Sequence, residues 1–187
     1  MDKGEENYLR FLQGDREGLT EIVRDYKDGL ILYINSVVGN IHIAEELTEE
    51  TFVRLFIRRP KSKGSASFKT WLYTIGRNCA IDYLRKSKRR GELSLSEEEY
   101  AVISSEEKDP ETAYIKEEEK SAVRKAMETL KPEYRQILLL VYFEGFSHRE
   151  AAKIMKKTVN NIDVLVSRAR AALKSQLEKE GFVYEGL

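Results

Sequence analysis

The chain has 187 residues with 32 basic and 32 acidic side chains, for a formal net charge of +0, and this length suits one large domain or two small ones. Hydrophobic residues are 41% and charged residues 34% of the chain, a balance that fits a soluble protein with modest cores, and no apolar run approaches the ~20 residues a membrane span needs. Cys79 is the only cysteine, which excludes an internal disulfide; with two distant histidines, His42 and His148, and no GxxxxGK phosphate loop, no catalytic residue, metal site or cofactor is expected.

The start, Met1 to Glu6, lacks the basic-then-apolar order of a secretory signal, so a cytoplasmic location is expected. Leu19, Ile22, Val23, Tyr26, Leu30, Tyr33 and Val37 recur at helical spacing and predict a helix over 17–38, ended by the turn signal Gly39-Asn40. Ala44, Leu47, Thr51 and Leu55 repeat the period and predict a second helix from about Ile43 to Arg58, stopped at Arg59-Pro60. A polar, basic loop follows, and its last residue, Ser67, suits the N-cap of a third helix whose apolar stripe is Phe68, Leu72, Ile75 and Cys79. From Gly91 to Asp109 the chain is acidic and poor in large apolar residues, which predicts a linker mostly without fixed structure. A helix from Pro110 to Leu130 comes next. Pro132 then opens another, with Ile137, Leu138, Val141 and Tyr142 expected to face inward.

Ser147 followed by Glu150 has the spacing of a capping box. It opens a short helix carrying Ala151, Ala152, Ile154 and Met155, then a turn at Lys156-Lys157-Thr158, then a long helix with Ile162, Val166, Ala169, Leu173 and Leu177 on one face. Short helix, tight turn and longer basic helix is the helix-turn-helix pattern. The expected fold class is therefore all-α: two small helical domains, 1–90 and 111–187, joined by a flexible acidic linker at 91–110, the second domain containing a helix-turn-helix.

The zero net charge conceals blocks. Residues 1–52 carry net −7, residues 53–90 net +11, residues 91–120 net −8 and residues 121–180 net +5. Two basic blocks separated by an acidic one point to two nucleic-acid contacts and a spacer that avoids duplex DNA. The Gly91–Asp109 stretch, fully extended, reaches at most roughly 60–70 Å, comparable to the ~70 Å between DNA elements two helical turns apart.

Three segments resemble the extracytoplasmic-function sigma factors, the smallest members of the sigma-70 family. Ala44 to Phe56 is similar to the family's helix that grips the polymerase clamp. Phe68 to Lys86 is similar to its minus-ten recognition and melting segment. Leu130 to Arg135, Phe146 to Ala152 and Ser167 to Leu173 look like its minus-thirty-five reader. The resemblance runs from about Leu19 to Leu177. It implies an alternative sigma factor, not itself an enzyme, with bacterial core RNA polymerase, promoter DNA and an anti-sigma factor as partners.

Onto this chain the resemblance places Glu46, Leu47, Glu49, Glu50 and Phe52 against the polymerase, with Glu49 standing where the family usually has Gln. In the family the loop before the melting helix holds a flipped base, which brings in Lys61, Lys63 and Ser65. Along that helix Trp71, Asn78, Asp82 and Arg85 share a stripe with Thr74. Trp71 suits either core packing or stacking on a base, while Arg77, Lys86, Lys88, Arg89 and Arg90 suit phosphates. In the reader, Lys156 stands where the family's turn usually has Gly, and Asp163, Val164 and Leu165 where basic residues are common. Base reading thus shifts to Val159, Asn160, Asn161 and Ser167, with Asn160 equally suited to capping the helix. Arg149, Arg168, Arg170 and Lys174 suit phosphates. Without the resemblance, a polymerase-independent helix-turn-helix regulator also explains the C-terminal segment, and a protein-interaction module explains the acidic one. The first leaves the basic loop and the Glu-rich helix without a task, and the second explains neither basic block.

Overall fold

The computed structural model describes residues 3–58, 66–91, 122–179 and 181, all in helices, turns and short connections, with no strand among the described residues. The predicted basic loop at Lys61, Lys63 and Ser65, the linker beyond Gly91 and the tail Phe182 to Tyr184 lie outside them.

The N-terminal unit has four helices: α1 (Lys3–Leu12), α2 (Arg16–Val38), α3 (Ile41–Arg58) and α4 (Phe68–Arg89). Asp15 caps α2 by accepting from the Glu17 N–H at 2.9 Å, and Gly39, at φ 71°, ends it in the left-handed conformation that favours glycine. Ser67 caps α4 through the Thr70 N–H, as predicted. The core lies between α2, α3 and α4, where Ile22, Leu30, Tyr33, Ile34, Leu55, Leu72 and Tyr73 have essentially no exposed surface. Helix α1 was not anticipated from the sequence. It is held by an aromatic cluster in which Tyr8 lies edge-on to Trp71 at 5.3 Å and Phe11 edge-on to Phe56 at 4.8 Å between ring centroids.

The C-terminal unit comprises α5 (122–128), α6 (Pro132–Leu138), α7 (His148–Met155) and α8 (Val159–Lys179). Of the helix expected from Pro110 to Leu130, the earlier part lies outside the described residues. Pro132 occupies the first turn of α6. Residues Leu139–Phe143 then wind as a π-helical turn. Its wider i→i+5 hydrogen bonding shifts the facing of successive side chains. Leu140 therefore points inward with no exposure, whereas Tyr142, expected inside, is 54% exposed.

The two units pack into one continuous apolar core. Phe146, in the connection before α7, lies edge-on to Tyr73 of α4 at 5.0 Å.

Candidate nucleic-acid interface

The helix-turn-helix is built as the sequence spacing predicts. Ser147 Oγ accepts from the Glu150 N–H, and the Glu150 carboxylate accepts from the Ser147 N–H at 3.0 Å, closing a full capping box. Partial burial pushes the Glu150 carboxyl up, but hydrogen bonds from the Ser147 hydroxyl and N–H, and then from Ser67 and Thr70, outweigh it and hold the group below the usual carboxylate range.

Helix α7 ends in a Schellman turn. The Lys157 N–H donates to Ala152 O at 3.0 Å and the Lys156 N–H to Lys153 O at 3.4 Å. Lys156, at φ 54°, is the only non-glycine residue at positive φ among the described residues, so the position where the family usually has Gly is left-handed here too. Helix α8 is capped by Thr158, whose Oγ1 accepts from the Asn161 N–H at 3.2 Å. The capping hydrogen bond thus belongs to Thr158, not Asn160. Val159, Asn160, Asn161, Ser167, Arg168 and Arg170 are exposed on α8, as is Arg149 at the start of α7. Opposite them Ile162, Val166 and Ala169 are buried, so the inward stripe was correctly read.

One contact in this unit was not foreseen. His148 Nδ1 and Asp163 Oδ1 lie 2.6 Å apart, tying the start of α7 to the first turns of α8. Asp163, the departure from the family's basic pattern, thus has a partner within the chain. His148 and Asp163 also border, with Ser167, Arg170, Tyr142 and Phe143, a groove of about 670 Å³. Ser167 and Arg170 face this groove, whereas the Asn161 side of the helix does not border it.

On α4, Asn78 and Asp82 are half-buried and Arg85, Lys86, Lys88 and Arg89 are exposed. Asp82 is held between Arg54 of α3 at 3.7 Å and Arg85 at 3.9 Å, so its carboxylate tempers the basic end of the helix. Trp71 packs edge-on against Tyr8 and Phe68 and is half-buried. Arg77 turns its Nε inward beside Tyr33, whose hydroxyl burial pushes up while the guanidinium draws it back.

The polymerase-facing candidates divide by face. Leu47 and Phe52 are 6% and 7% exposed and belong to the core. Both face inward, as the apolar period of α3 implies for Leu47, so they present little surface to a partner. Glu46, Glu49 and Glu50 are exposed, Glu50 being paired with Arg54 at 2.6 Å. The apolar members of the outer stripe are Val53 and Ile57, 51% and 75% exposed. They continue Glu46, Glu49 and Glu50 at helical spacing, a periodicity already present in the sequence.

Among the described residues no helix is long and apolar enough to cross a membrane, and no three His, Cys, Asp or Glu side chains stand together as a metal site would. Two helical units, the second carrying a helix-turn-helix with exposed polar and basic residues on its longer helix, define a DNA-binding protein of sigma-70 type. Residues 22–90 match the family model of sigma-70 region 2 and residues 120–173 that of sigma-70 region 4. The chain belongs to the extracytoplasmic-function sigma factors, which direct RNA polymerase to promoters. It is 30% identical over 157 residues to the ECF RNA polymerase sigma factor SigM of Bacillus subtilis, covering 84% of this chain and 93% of that one. It is 29% identical over 171 residues to SigW of the same organism, covering 88% and 91%. The fold is shared with the sigma factor RpoE of Bartonella quintana in complex with the anti-sigma factor NepR, with TM-score 0.65, 23% identity, and 85% and 96% of the two chains covered. It is also shared with CnrH in complex with the cytosolic domain of CnrY, with TM-score 0.65, 18% identity, and 95% and 99% covered.

Proposed function

We propose that this chain reads a promoter at two places: the N-terminal end of α8 enters the major groove of the minus-thirty-five element, and α4 with its preceding basic loop holds the melted minus-ten strand. The observation that carries the first part is the reader's construction. Thr158 performs the capping, which leaves Asn160 and Asn161 exposed at the helix start, where an Asn side chain pairs with adenine N6 and N7. Arg149, Arg168 and Arg170 supply phosphate contacts that position without specifying. The second part is supported by the net +11 charge of residues 53–90 and by the exposed cations at the end of α4.

Core polymerase docks on the outer stripe of α3, through the carboxylates Glu46, Glu49 and Glu50 and the exposed Val53 and Ile57. The N-terminal and C-terminal domains, 1–90 and 111–187, work through the linker at 91–110. The chain acts in the cytoplasm as a regulator without a reaction of its own. An anti-sigma factor is its inhibitor, as NepR and CnrY are partners of the sigma factors named above. The test is run-off transcription from a cognate promoter, which should require both this protein and core polymerase. Tight, sequence-specific duplex binding by the free protein at physiological salt would favour the polymerase-independent regulator instead.

A further inference from the structure

We propose that the groove beside α8 is a docking site for a segment of the same chain, Phe182 to Leu187, which folds back over it from Gly181. The lining is mostly apolar, with Val123 of α5, Leu138 of α6, and Leu173 and Leu177 of α8. Tyr142 and Phe143 of the π-helical turn border it and are 54% and 61% exposed. Adjacent exposed aromatic rings rimmed by polar groups mark a binding surface. Along the α8 edge stand Arg170 and Lys174, both exposed. The one carboxylate among the described lining residues, Asp163, is taken by His148 at 2.6 Å. The occupant that fits is therefore apolar with an acidic group on one side. Residues 182–187 read Phe-Val-Tyr-Glu-Gly-Leu and have that composition.

The end of α8 aims the segment at the groove. Gly181 stands at φ 86°, and its N–H donates to Glu178 O at 3.1 Å. These are the left-handed glycine and the 5→2 hydrogen bond of a Schellman turn. In that motif the residue after the glycine contacts an apolar side chain in the last turn of the helix, which pairs Phe182 with Leu177 at one end of the groove. Chain dimensions then set the register. Arg170 precedes Leu177 by seven residues, about 10 Å along a helix. An extended chain covers about the same length between Phe182 and Glu185. Glu185 thus comes level with Arg170, while Phe182 and Tyr184, alternate residues of an extended chain, share the face toward the apolar lining. The tether favours this segment over a separate partner, because a short connection holds it at an effective concentration on the order of millimolar. Docking needs neither DNA nor polymerase.

The test is methyl–aromatic NOE spectroscopy on the full chain with nothing added. Contacts are expected from the Phe182 or Tyr184 ring to methyls of Val123 and Leu138, on α5 and α6, with intensities independent of protein concentration. A variant carrying both Phe182→Ser and Tyr184→Ser should lose these contacts and shift those methyls, while the methyls of Leu30 and Leu72 in the N-terminal unit stay in place. Glu185→Lys should lower the ratio of docked to undocked chain, read from the population-weighted methyl shifts, on the order of fivefold. Arg170→Glu in the same chain should restore it. Absence of the contacts in the wild type would overturn the proposal. So would contacts that fade on dilution, which would put the segment of a second copy in the groove. A Glu185→Lys defect that Arg170→Glu leaves unrepaired would overturn it as well.

Discussion

Lys156 offers a backbone test of the reader domain that is independent of DNA. An L-residue in the left-handed region carries a cost of roughly 1–2 kcal/mol, and Lys156 adopts that region at φ 54° and ψ 45° to close α7. Gly removes this cost but surrenders about 0.4–1 kcal/mol through the greater freedom of the unfolded chain. Lys156→Gly should therefore exceed Lys156→Ala in stability by about 1 kcal/mol; the Ala variant is the proper reference because it loses the same charge and stem but keeps Cβ. In a chain of this size that difference moves the melting midpoint by roughly 2–4 °C, readable by helical circular dichroism under identical buffer. If the Ala variant is instead the more stable by about 1 kcal/mol, the ordinary preference within a helix, then residue 156 is helical and the turn lies elsewhere. The start of α8 would then be misplaced, and Asn160 and Asn161 would lose their assignment to the groove.

Asn161→Ala should change base preference at one position of the minus-thirty-five element by about 1–3 kcal/mol, whereas Arg170→Ala should weaken all promoters alike and reduce the salt slope by about one contact; a base-substitution panel that reverses the pattern refutes the assignment. Because the folded pKa of Glu150 is depressed, its carboxylate stabilises the fold above its ordinary value of 4.5, and this contribution is lost as pH falls through the folded value. Glu150→Gln keeps a capping-box side chain, so its thermal deficit relative to wild type should be full near neutrality and vanish in acid; a deficit that persists in acid denies the charge its role. Leu47→Ala should lower stability by about 2–5 kcal/mol, as buried truncations do, while Ile57→Ala should leave the melting curve within about 0.5 kcal/mol and weaken binding to core polymerase in a pull-down titration. Replacing residues 61–66 with Gly and Ser should reduce permanganate-detected opening on duplex promoters more than on templates mispaired across the minus-ten element, since unpairing is then already done; an equal defect on both assigns the loop to phosphate binding alone.

What the sequence discloses is largely what local chemistry determines. Ser67, Ser147 with Glu150, Pro132 and the Lys156 turn are legible because capping and turn conformations depend on residues within a few positions. The inward stripe of α8 is legible because its apolar period is unbroken. Helix α1 is not, because Lys3–Leu12 is mostly polar and is held by contacts of Tyr8 and Phe11 with residues far along the chain. The π-helical turn is invisible to a 3.6-residue period, which is why Tyr142 was expected on the wrong side. Leu47 lies on the apolar period of α3 as well as in the segment that resembles a binding helix, whereas the facing of Phe52 depends on where α2 and α4 lie. The bonds from Ser67 and Thr70 to Glu150 join residues 83 and 80 positions apart, a pairing that no local pattern encodes.

The central claim is that one chain selects promoters by two elements read from its two units. Sequencing the 5′ ends of transcripts made by core polymerase plus this protein from fragmented genomic DNA tests it most directly. The account predicts start sites that share two upstream sequence elements about two helical turns apart, with the upstream preference altered in Asn161→Ala transcripts. Start sites that share no pair of elements at fixed spacing, or that are the same with core polymerase alone, would contradict it.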